Sequence, residues 1–314
     1  MALTGAATML LTLTVGTAGA DPVTPTKVVQ AGMRLKFDDM VGRVGTCTLG
    51  AVGTDASGRK VGITAGHCNP RQEDPNDGGN FWPGAPLRDL VTENNKNNHP
   101  VWDWRDLTRD HTASPIGWIR YITTDNREAN PITGINTKLD YMVIEFADNV
   151  ELSSMVMTVP KYGDVNGQPF SPQTTYEPGP VVTPSVPWFK MNEVFSDSSG
   201  NPANPPALSV VCHAGTITSQ DLAQADRPYA ANCGTISHYT DGQMYAGAVH
   251  QPGDSGGPVW VQNNSTKWVG ITTRKYHWLQ TLLYFVNTPA TTILADLNSK
   301  AAGFPGKGFQ ITNN

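Results

Sequence analysis

Runs of basic residues are absent from this 314-residue chain, although nucleic-acid-binding proteins generally carry them. Only 16% of the residues are charged, and the formal net charge is -5. These values exclude a nucleic-acid partner. With 39% hydrophobic residues the chain is not disordered, and it is long enough to form one large domain or two small ones.

Long apolar stretches are also missing, except at the start of the chain. Residues 1–20 are apolar and end in Ala18-Gly19-Ala20, the small-x-small pattern of a secretory cleavage site. We predict a signal peptide over 1–20 that is cut before Asp21, although no Lys or Arg precedes the apolar run. An uncleaved anchor is the alternative, but the run is short for a spanning helix. The prediction implies a secreted protein, free or associated with the cell wall, that has no membrane partner after cleavage.

Cysteine is scarce, with only four residues in the chain. An even number in an exported protein suggests disulfides, and four cysteines allow three pairings. Each half of the chain holds two cysteines about twenty residues apart, so the local pairing of Cys47 with Cys68 and of Cys212 with Cys233 is the simplest. Zinc is the alternative, but the sequence has no C-x-x-C pair. We therefore expect no metal and no organic cofactor.

Helical periodicity is rare, whereas short runs rich in β-branched and aromatic residues recur between turn residues. Such runs predict strands, and many short strands predict an all-β barrel or sandwich. The predicted strands are Gly45–Val52, Lys60–Ala65, Ile116–Ile122, Asp140–Phe146, Met155–Val159, Leu208–His213, Cys233–His238, Met244–Val249, Pro258–Gln262, Trp268–Thr273 and Thr281–Val286. One helix is predicted over Pro289–Lys300, with Thr288 as its N-cap.

Composition divides the chain into segments. We predict an extended arm at 21–44, a first β-barrel at 45–160, a proline-rich linker at 161–206, a second β-barrel at 207–287, and a helix and tail at 288–314. Residues 69–114 form a long loop inserted in the first unit. This loop carries four aromatic residues that either bind a ligand or attach the loop to the barrel: Phe81, Trp82, Trp102 and Trp104.

Ser255 lies among glycines in the stretch Pro252–Pro258. A nucleophilic serine needs a base to take its proton and amide donors for the oxyanion. His67 is a candidate base because it follows a β run and adjoins Cys68. Asp140 opens an apolar strand, where a carboxylate needs a partner, and a pairing with His67 explains it.

Three motifs, in this order, carry a resemblance: Thr64-Ala65-Gly66-His67-Cys68, Asp140-Tyr141 and Gly253-Asp254-Ser255-Gly256-Gly257-Pro258. They resemble the trypsin-like serine proteases of the chymotrypsin fold, most of all the secreted bacterial streptogrisins and alpha-lytic protease. The resemblance covers roughly Gly45–Asn298, although its specific evidence is confined to these motifs. It implies an all-β fold of two six-stranded antiparallel Greek-key barrels followed by a C-terminal helix.

The resemblance also implies a role for each motif residue. His67 would be the general base and then the general acid, and Ser255 would attack the peptide carbonyl. Asp140 would hold the His67 imidazole in the tautomer that this reaction needs. The main-chain N–H groups of Gly253 and Ser255 would form the oxyanion hole. The implied function is that of a secreted serine endopeptidase with polypeptide substrates, and we expect a monomer.

The predicted substrate pocket departs from that family. Its base falls at Gly247, Ala248 and Val249, where Val249 replaces a cysteine that usually constrains the pocket, and its wall at Thr273, Arg274 and Lys275. The base holds no carboxylate, so cleavage after Lys or Arg is not favoured. The two basic wall residues allow three interpretations. They narrow the pocket, or they favour a substrate with an acidic side chain, with help from His250 or His277. The third interpretation is that both side chains point to solvent.

Asp254 is expected to be partly buried beside the nucleophile, so it needs a donor partner. In the bacterial enzymes that the chain resembles, an arginine just after the first cysteine of the second pair serves this role. His213 occupies that position here. We therefore predict a contact between His213 and Asp254.

Two other functions compete with this interpretation. The stretch Gly253–Gly257 also satisfies G-x-S-x-G, the motif of α/β-hydrolase esterases, but that fold needs a helix after the serine and alternating strands and helices. The other alternative is an inactive protease-fold protein that binds a partner or cell-wall polymer through its tryptophan-rich loop.

Overall fold

The computed structural model describes residues 27–37, 47–68, 100–104, 114–123, 139–157, 181–182, 188–218, 231–278 and 282–314. Most of the elements in these residues are β-strands. Those of the first half are β1 (Lys27–Gln30), β2 (Arg34–Phe37), β3 (Cys47–Thr48), β4 (Ala51–Thr54), β5 (Lys60–Thr64), β6 (Pro100–Asp103), β7 (Gly117–Ile122), β8 (Met142–Phe146), β9 (Val150–Ser153) and β10 (Met155–Met157). A short 3-10 turn, Gly66–Cys68, follows β5.

The second half contains ten more strands and one helix. They are β11 (Val181–Val182), β12 (Trp188–Lys190), β13 (Glu193–Val194), β14 (Val210–His213), β15 (Ala231–Thr240), β16 (Gln243–Ala246), β17 (Pro258–Val261), β18 (Asn264–Trp278), β19 (Leu282–Pro289), helix α1 (Ala290–Ser299) and β20 (Gln310–Ile311). No helix among the described residues is long and apolar enough to span a bilayer.

The first sheet contains eight strands in the order β20-β4-β5-β8-β7-β6-β2-β3, and all its pairs are antiparallel. Apolar side chains from its strands and loops are fully buried in one cluster, among them Leu35, Leu49, Met142 and Ile144. This burial is the main favourable free-energy term for such a sheet. In the described residues the sheet stays open, as a half-barrel.

The second sheet closes into a six-stranded barrel in the order β14-β15-β16-β19-β18-β17. Closure depends on the two longest strands, because β15 pairs with both β14 and β16, and β18 pairs with both β17 and β19. Register shifts in these strands supply the bends that a closed sheet needs. The predicted all-β fold of two β units with a C-terminal helix is therefore confirmed, with the second unit a closed six-stranded barrel and the first an eight-stranded half-barrel among the described residues.

Several local predictions need correction. Within the predicted strand Gly45–Val52 the described residues form two strands, β3 and β4, separated by Leu49 and Gly50. Gly50 has no room for a side chain, because a Cβ atom there would lie 2.3 Å from the Gly256 carbonyl oxygen. The arm predicted over 21–44 includes β1 and β2, and β2 joins the first sheet. Helix α1 is capped by Pro289 rather than Thr288, whose hydroxyl donates to Gln243 Oε1 at 3.2 Å.

The inserted loop and the proline-rich linker contribute strands at their ends. β6, inside the predicted loop 69–114, pairs with β2 and β7, and the buried ring of Trp104 packs under the Arg34 guanidinium at 4.1 Å. In the predicted linker, β12 pairs with β10, and β13 pairs with β18. The predicted signal peptide and the aromatic residues Phe81 and Trp82 lie outside the described residues.

Helix α1 packs on β18 and β19, and its polar face also reaches the first sheet. The Asp296 carboxylate accepts hydrogen bonds from the hydroxyls of Tyr141 at 2.5 Å and Tyr121 at 3.2 Å, and from Lys300 Nζ at 3.0 Å. Burial raises the pKa of the Tyr141 hydroxyl, which keeps it a donor. Because Tyr141 follows Asp140, this cluster attaches the strand next to a candidate catalytic residue to the second barrel.

Replacing Asp296 with alanine is expected to lower the free energy of unfolding by about 2 kcal/mol, because the fully buried Tyr141 hydroxyl loses its acceptor. Urea denaturation followed by tryptophan fluorescence measures the change. Asp148→Ala is the matched control, since Asp148 is an exposed carboxylate in a turn. Equal stability of the two variants would contradict the inter-barrel role of Asp296.

Candidate active site

The strand pairing of the first sheet brings His67 and Asp140 together. β5 pairs with β8 so that Thr64 lies opposite Met142. His67 occupies the 3-10 turn that follows β5, and Asp140 lies just before β8. A disulfide between Cys68 and Cys47 fixes that turn to β3, and the second disulfide joins Cys212 to Cys233, as the local pairing predicted.

The Asp140 carboxylate is buried and makes two hydrogen bonds with His67. Its Oδ2 is 2.7 Å from His67 Nδ1, and its Oδ1 accepts the His67 backbone N–H at 2.9 Å. Burial alone raises the pKa of the Asp140 carboxyl, but the His67 ring and amide and the charge of Arg274 together hold that pKa below its ordinary value. The carboxylate is therefore ionised at neutral pH and favours the tautomer with its proton on Nδ1.

Thr123, which the sequence analysis did not single out, holds the backbone on both sides of Asp140. Its hydroxyl donates to the Leu139 carbonyl at 2.7 Å and accepts the Tyr141 N–H at 3.0 Å. Gly66 lies against the same segment, where a Cβ atom would come within 3.2 Å of Asp140 Oδ1. A threonine at the end of an apolar strand gives no signal of this role in the sequence.

Ser255 comes from the loop between β16 and β17 of the second barrel. Its Oγ lies 2.8 Å from His67 Nε2, so the His67 ring bridges the serine hydroxyl and the Asp140 carboxylate. The His67 side chain is 31% exposed, so part of the ring is open to solvent. The structure thus brings the three predicted residues together between the two sheets.

The loop around Ser255 turns at two glycines, one on each side of the serine. Gly253 has a φ of 103° and Gly256 a φ of 85°, values in the left-handed region that favours glycine. In the part of the chain that the structure describes, neither the Gly253 amide nor the Ser255 amide has an acceptor. A Cβ atom on Gly256 would lie 2.0 Å from the Thr64 hydroxyl, so this position has no space for a side chain.

Asp254 is completely buried, and backbone amides are its main partners. Its carboxylate accepts the N–H groups of Ile217 at 2.8 Å, Thr218 at 2.9 Å and Gln251 at 2.7 Å, together with the Thr218 hydroxyl. His213, the predicted partner, interacts with Asp254 through charge rather than through a hydrogen bond between described atoms. Burial lowers the pKa of His213, while Asp254 raises it.

His213 instead supports the predicted pocket base. Its Nε2–H donates to the Val249 carbonyl at 2.5 Å, and the Val249 N–H donates to Asn232 Oδ1 at 2.5 Å. Both backbone groups of Val249 are therefore held by buried side chains, where the family that the sequence resembles has a disulfide. The Gly247 N–H donates to the Thr235 carbonyl at 3.0 Å. Ala248, which lies between Gly247 and Val249, is buried.

The predicted pocket wall lies on β18, next to β19. Thr273 is buried and donates to the Val286 carbonyl at 2.9 Å, so its hydroxyl does not face a substrate. Arg274 is half-buried, and its charge acts on Asp140. The side chains of Lys275 and His277 lie outside the described residues, whereas the His250 ring packs edge-on against His213 at 5.7 Å.

Comparisons with solved structures return bacterial proteases and, among others, an inactivated protease paralogue of the scabies mite. The chain resembles Thermobifida fusca protease A (14% identity, TM-score 0.47, covering 91% of this chain and 100% of that one). It also resembles Cellulomonas bogoriensis chymotrypsin, with 16% identity and a TM-score of 0.46, over 91% of this chain and 100% of that one. A Nocardiopsis protease matches with 16% identity and a TM-score of 0.44, over 86% of this chain and 96% of that one. These relatives are chymotrypsin-fold serine proteases. At these identities the likeness concerns the fold alone, and no family model or curated protein matches the sequence.

Proposed function

We propose that this chain is a secreted serine endopeptidase that hydrolyses peptide bonds through an acyl-enzyme. The observation that carries the proposal is the position of the His67 ring, with Nε2 at 2.8 Å from Ser255 Oγ and Nδ1 at 2.7 Å from Asp140 Oδ2. A serine, a base within hydrogen-bond reach and an orienting carboxylate are the parts that this chemistry needs.

In the proposed reaction, Ser255 Oγ attacks the substrate carbonyl carbon and His67 Nε2 takes its proton. The Asp140 carboxylate stabilises the imidazolium, and the Gly253 and Ser255 amides donate to the oxyanion. The imidazolium then protonates the leaving amine as the C–N bond breaks, which leaves the acyl group on Ser255. Water, deprotonated by His67, attacks the ester and releases the acid together with the free serine.

A peptide-library digest with protein lacking 1–20, combined with fluorophosphonate labelling, tests the proposal. We expect labelling at Ser255 and cleavage within peptides. Labelling with turnover of esters but not of peptides would instead indicate a serine esterase. Neither labelling nor turnover would indicate the inactive binding protein.

The predicted segments remain part of the proposal, with a signal peptide at 1–20, an arm at 21–44, two β units at 45–160 and 207–287 joined by 161–206, and a monomeric mature protein. Two disulfides in the described residues support an extracellular location, because such bonds persist in oxidising surroundings. N-terminal sequencing of the secreted protein tests the cleavage before Asp21.

Arg274 is expected to disfavour substrates with Lys or Arg at the cleaved position, because its half-buried charge lies near the reacting groups. Replacing Arg274 with glutamine should raise kcat/KM for an arginine substrate about tenfold relative to its apolar counterpart. Lys190→Gln, a change at an exposed lysine, is the control. If the ratio stays the same in both variants, Arg274 does not contribute to specificity.

A further inference from the structure

Two buried threonine hydroxyls meet the loop that precedes Ser255, and each comes from a different sheet. Thr48 lies in β3 of the first sheet, and Thr216 follows β14 of the second barrel. The Gly253 carbonyl accepts from Thr48 Oγ1 at 2.9 Å and from Thr216 Oγ1 at 3.1 Å. Both threonines are fully buried, whereas Gly253 itself is partly buried.

The two hydroxyls and the Gly253 carbonyl form one hydrogen-bonded cluster. The Thr216 backbone N–H donates to Thr48 Oγ1 at 3.1 Å, and the two hydroxyl oxygens lie 3.1 Å apart. The Gly253 carbonyl oxygen lies within hydrogen-bond distance of both hydroxyls. A carbonyl oxygen has two lone pairs, so it can accept from both threonines.

The same strand also holds the other side of the nucleophile. The Thr48 backbone N–H donates to the Ser255 carbonyl at 2.8 Å. Cys47, the residue before Thr48, is bonded to Cys68, the residue after His67. Strand β3 therefore connects the turn that carries the candidate base to the loop that carries the candidate nucleophile.

Gly253 cannot maintain its own conformation. Glycine populates both signs of φ about equally, so a φ of 103° has to be imposed by neighbouring groups. Fixing the Gly253 carbonyl fixes the plane of the following peptide. The Gly253 N–H belongs to the preceding peptide, so once the following peptide is held its direction is set by the dihedral angles of Gly253, of which φ is 103°.

We propose that Thr48 and Thr216 are positioning residues that hold the Gly253 amide in the orientation needed for an oxyanion hole. This inference rests on the proposed protease function. It adds two residues that touch neither the substrate nor the reacting atoms and act through the Gly253 peptide. Their hydroxyls contribute to the transition state rather than to ground-state binding, since the oxyanion forms only after attack.

Thr216→Val and Thr48→Val, which keep side-chain shape and remove the hydroxyl, test the proposal. We expect kcat for a peptide substrate to fall about 10- to 100-fold, less than the loss of a direct oxyanion donor. KM should stay within about threefold, and the acid limb of the pH profile should not move, because His67 and Asp140 are untouched. Thr216→Ser and Thr48→Ser should restore kcat, and Thr288→Val is the control, since Thr288 is a buried threonine that bonds Gln243 instead.

Amide hydrogen exchange tests the same residues without relying on activity. The amides of Asp254, Gly256 and Gly257 have acceptors in or beside this loop, so they report its opening. We expect these three to exchange at least tenfold faster in the valine variants and at the wild-type rate in the serine variants and in Thr288→Val. Unchanged exchange, or kcat within twofold of wild type in both valine variants, would overturn the proposal.

The two tests separate this inference from the proposed function. A wild-type protein without labelling or turnover would refute the protease, while the exchange rates would still decide whether the threonine pair holds the loop. Active wild-type protein with valine variants that lose kcat but are not restored by serine would refute the pair and leave the protease intact.

Discussion

Replacing Ser255 with alanine is expected to remove peptide hydrolysis almost completely, with a fall in kcat of about 10⁶-fold. The His67 ring would then have no hydroxyl to deprotonate at 2.8 Å, and no acyl-enzyme would form. Fluorophosphonate labelling should disappear in the same variant. Steady-state kinetics on the best library peptide and mass spectrometry of the labelled protein measure both effects.

The control for this change is Ser57→Ala, since Ser57 is exposed in a turn of the first sheet. It should hydrolyse and label like wild type. Combining Ser255→Ala with His67→Ala should cost no more than either change alone, because the residues act as one unit. Persistent peptide hydrolysis in Ser255→Ala would refute the proposed nucleophile, and additive losses would refute the shared mechanism.

Replacing Asp140 with asparagine is expected to lower kcat/KM about 10⁴-fold while leaving the fold intact. An amide NH₂ in place of Oδ2 donates to His67 Nδ1 and so moves the imidazole proton to Nε2, where the ring can no longer accept from Ser255. The measurement is kcat/KM at neutral pH. Asp148→Asn, at an exposed site, should show wild-type activity.

The difference in the free energy of unfolding between wild type and Asp140→Asn should depend on pH in a defined direction. The pKa of Asp140 is lower in the folded protein than its ordinary value, so the carboxylate contributes stability above that ordinary pKa. The contribution is lost as pH falls through the lower, folded value. Wild type should therefore be more stable than Asp140→Asn at neutral pH and should lose this advantage in strong acid. A constant difference across the range would contradict the charge interaction between Asp140 and His67.

Local sequence patterns predicted the six strands of the second barrel, the single helix and the two disulfides, but they missed β2, β6 and β20 of the first sheet. The features that were predicted depend on residues near each other in the chain, such as the apolar run of β5 or the cysteines 21 positions apart. The same patterns misplaced element ends. Thr288 is a good N-cap by residue type, but Gln243 on a distant strand takes its hydroxyl.

Partners of buried polar groups were harder to predict. His213 was expected to serve Asp254, but its Nε2–H goes to Val249, and amides at 217, 218 and 251 surround the carboxylate. Backbone amides are the same for every residue type, so a sequence pattern does not indicate where they will point. Asn232, which holds the Val249 N–H, carried no signal for the same reason.

The sequence by itself determined which groups are chemically able to act: a serine among glycines, a histidine beside a half-cystine and an aspartate before an apolar strand. Only the tertiary structure decided that they meet, because His67 and Asp140 are 73 positions apart and His67 and Ser255 are 188 apart. Contacts at such separations depend on how β5 pairs with β8 and on how the two sheets pack. Thr48 and Thr216 illustrate the same limit, since a hydroxyl becomes significant only when folding directs it at one carbonyl.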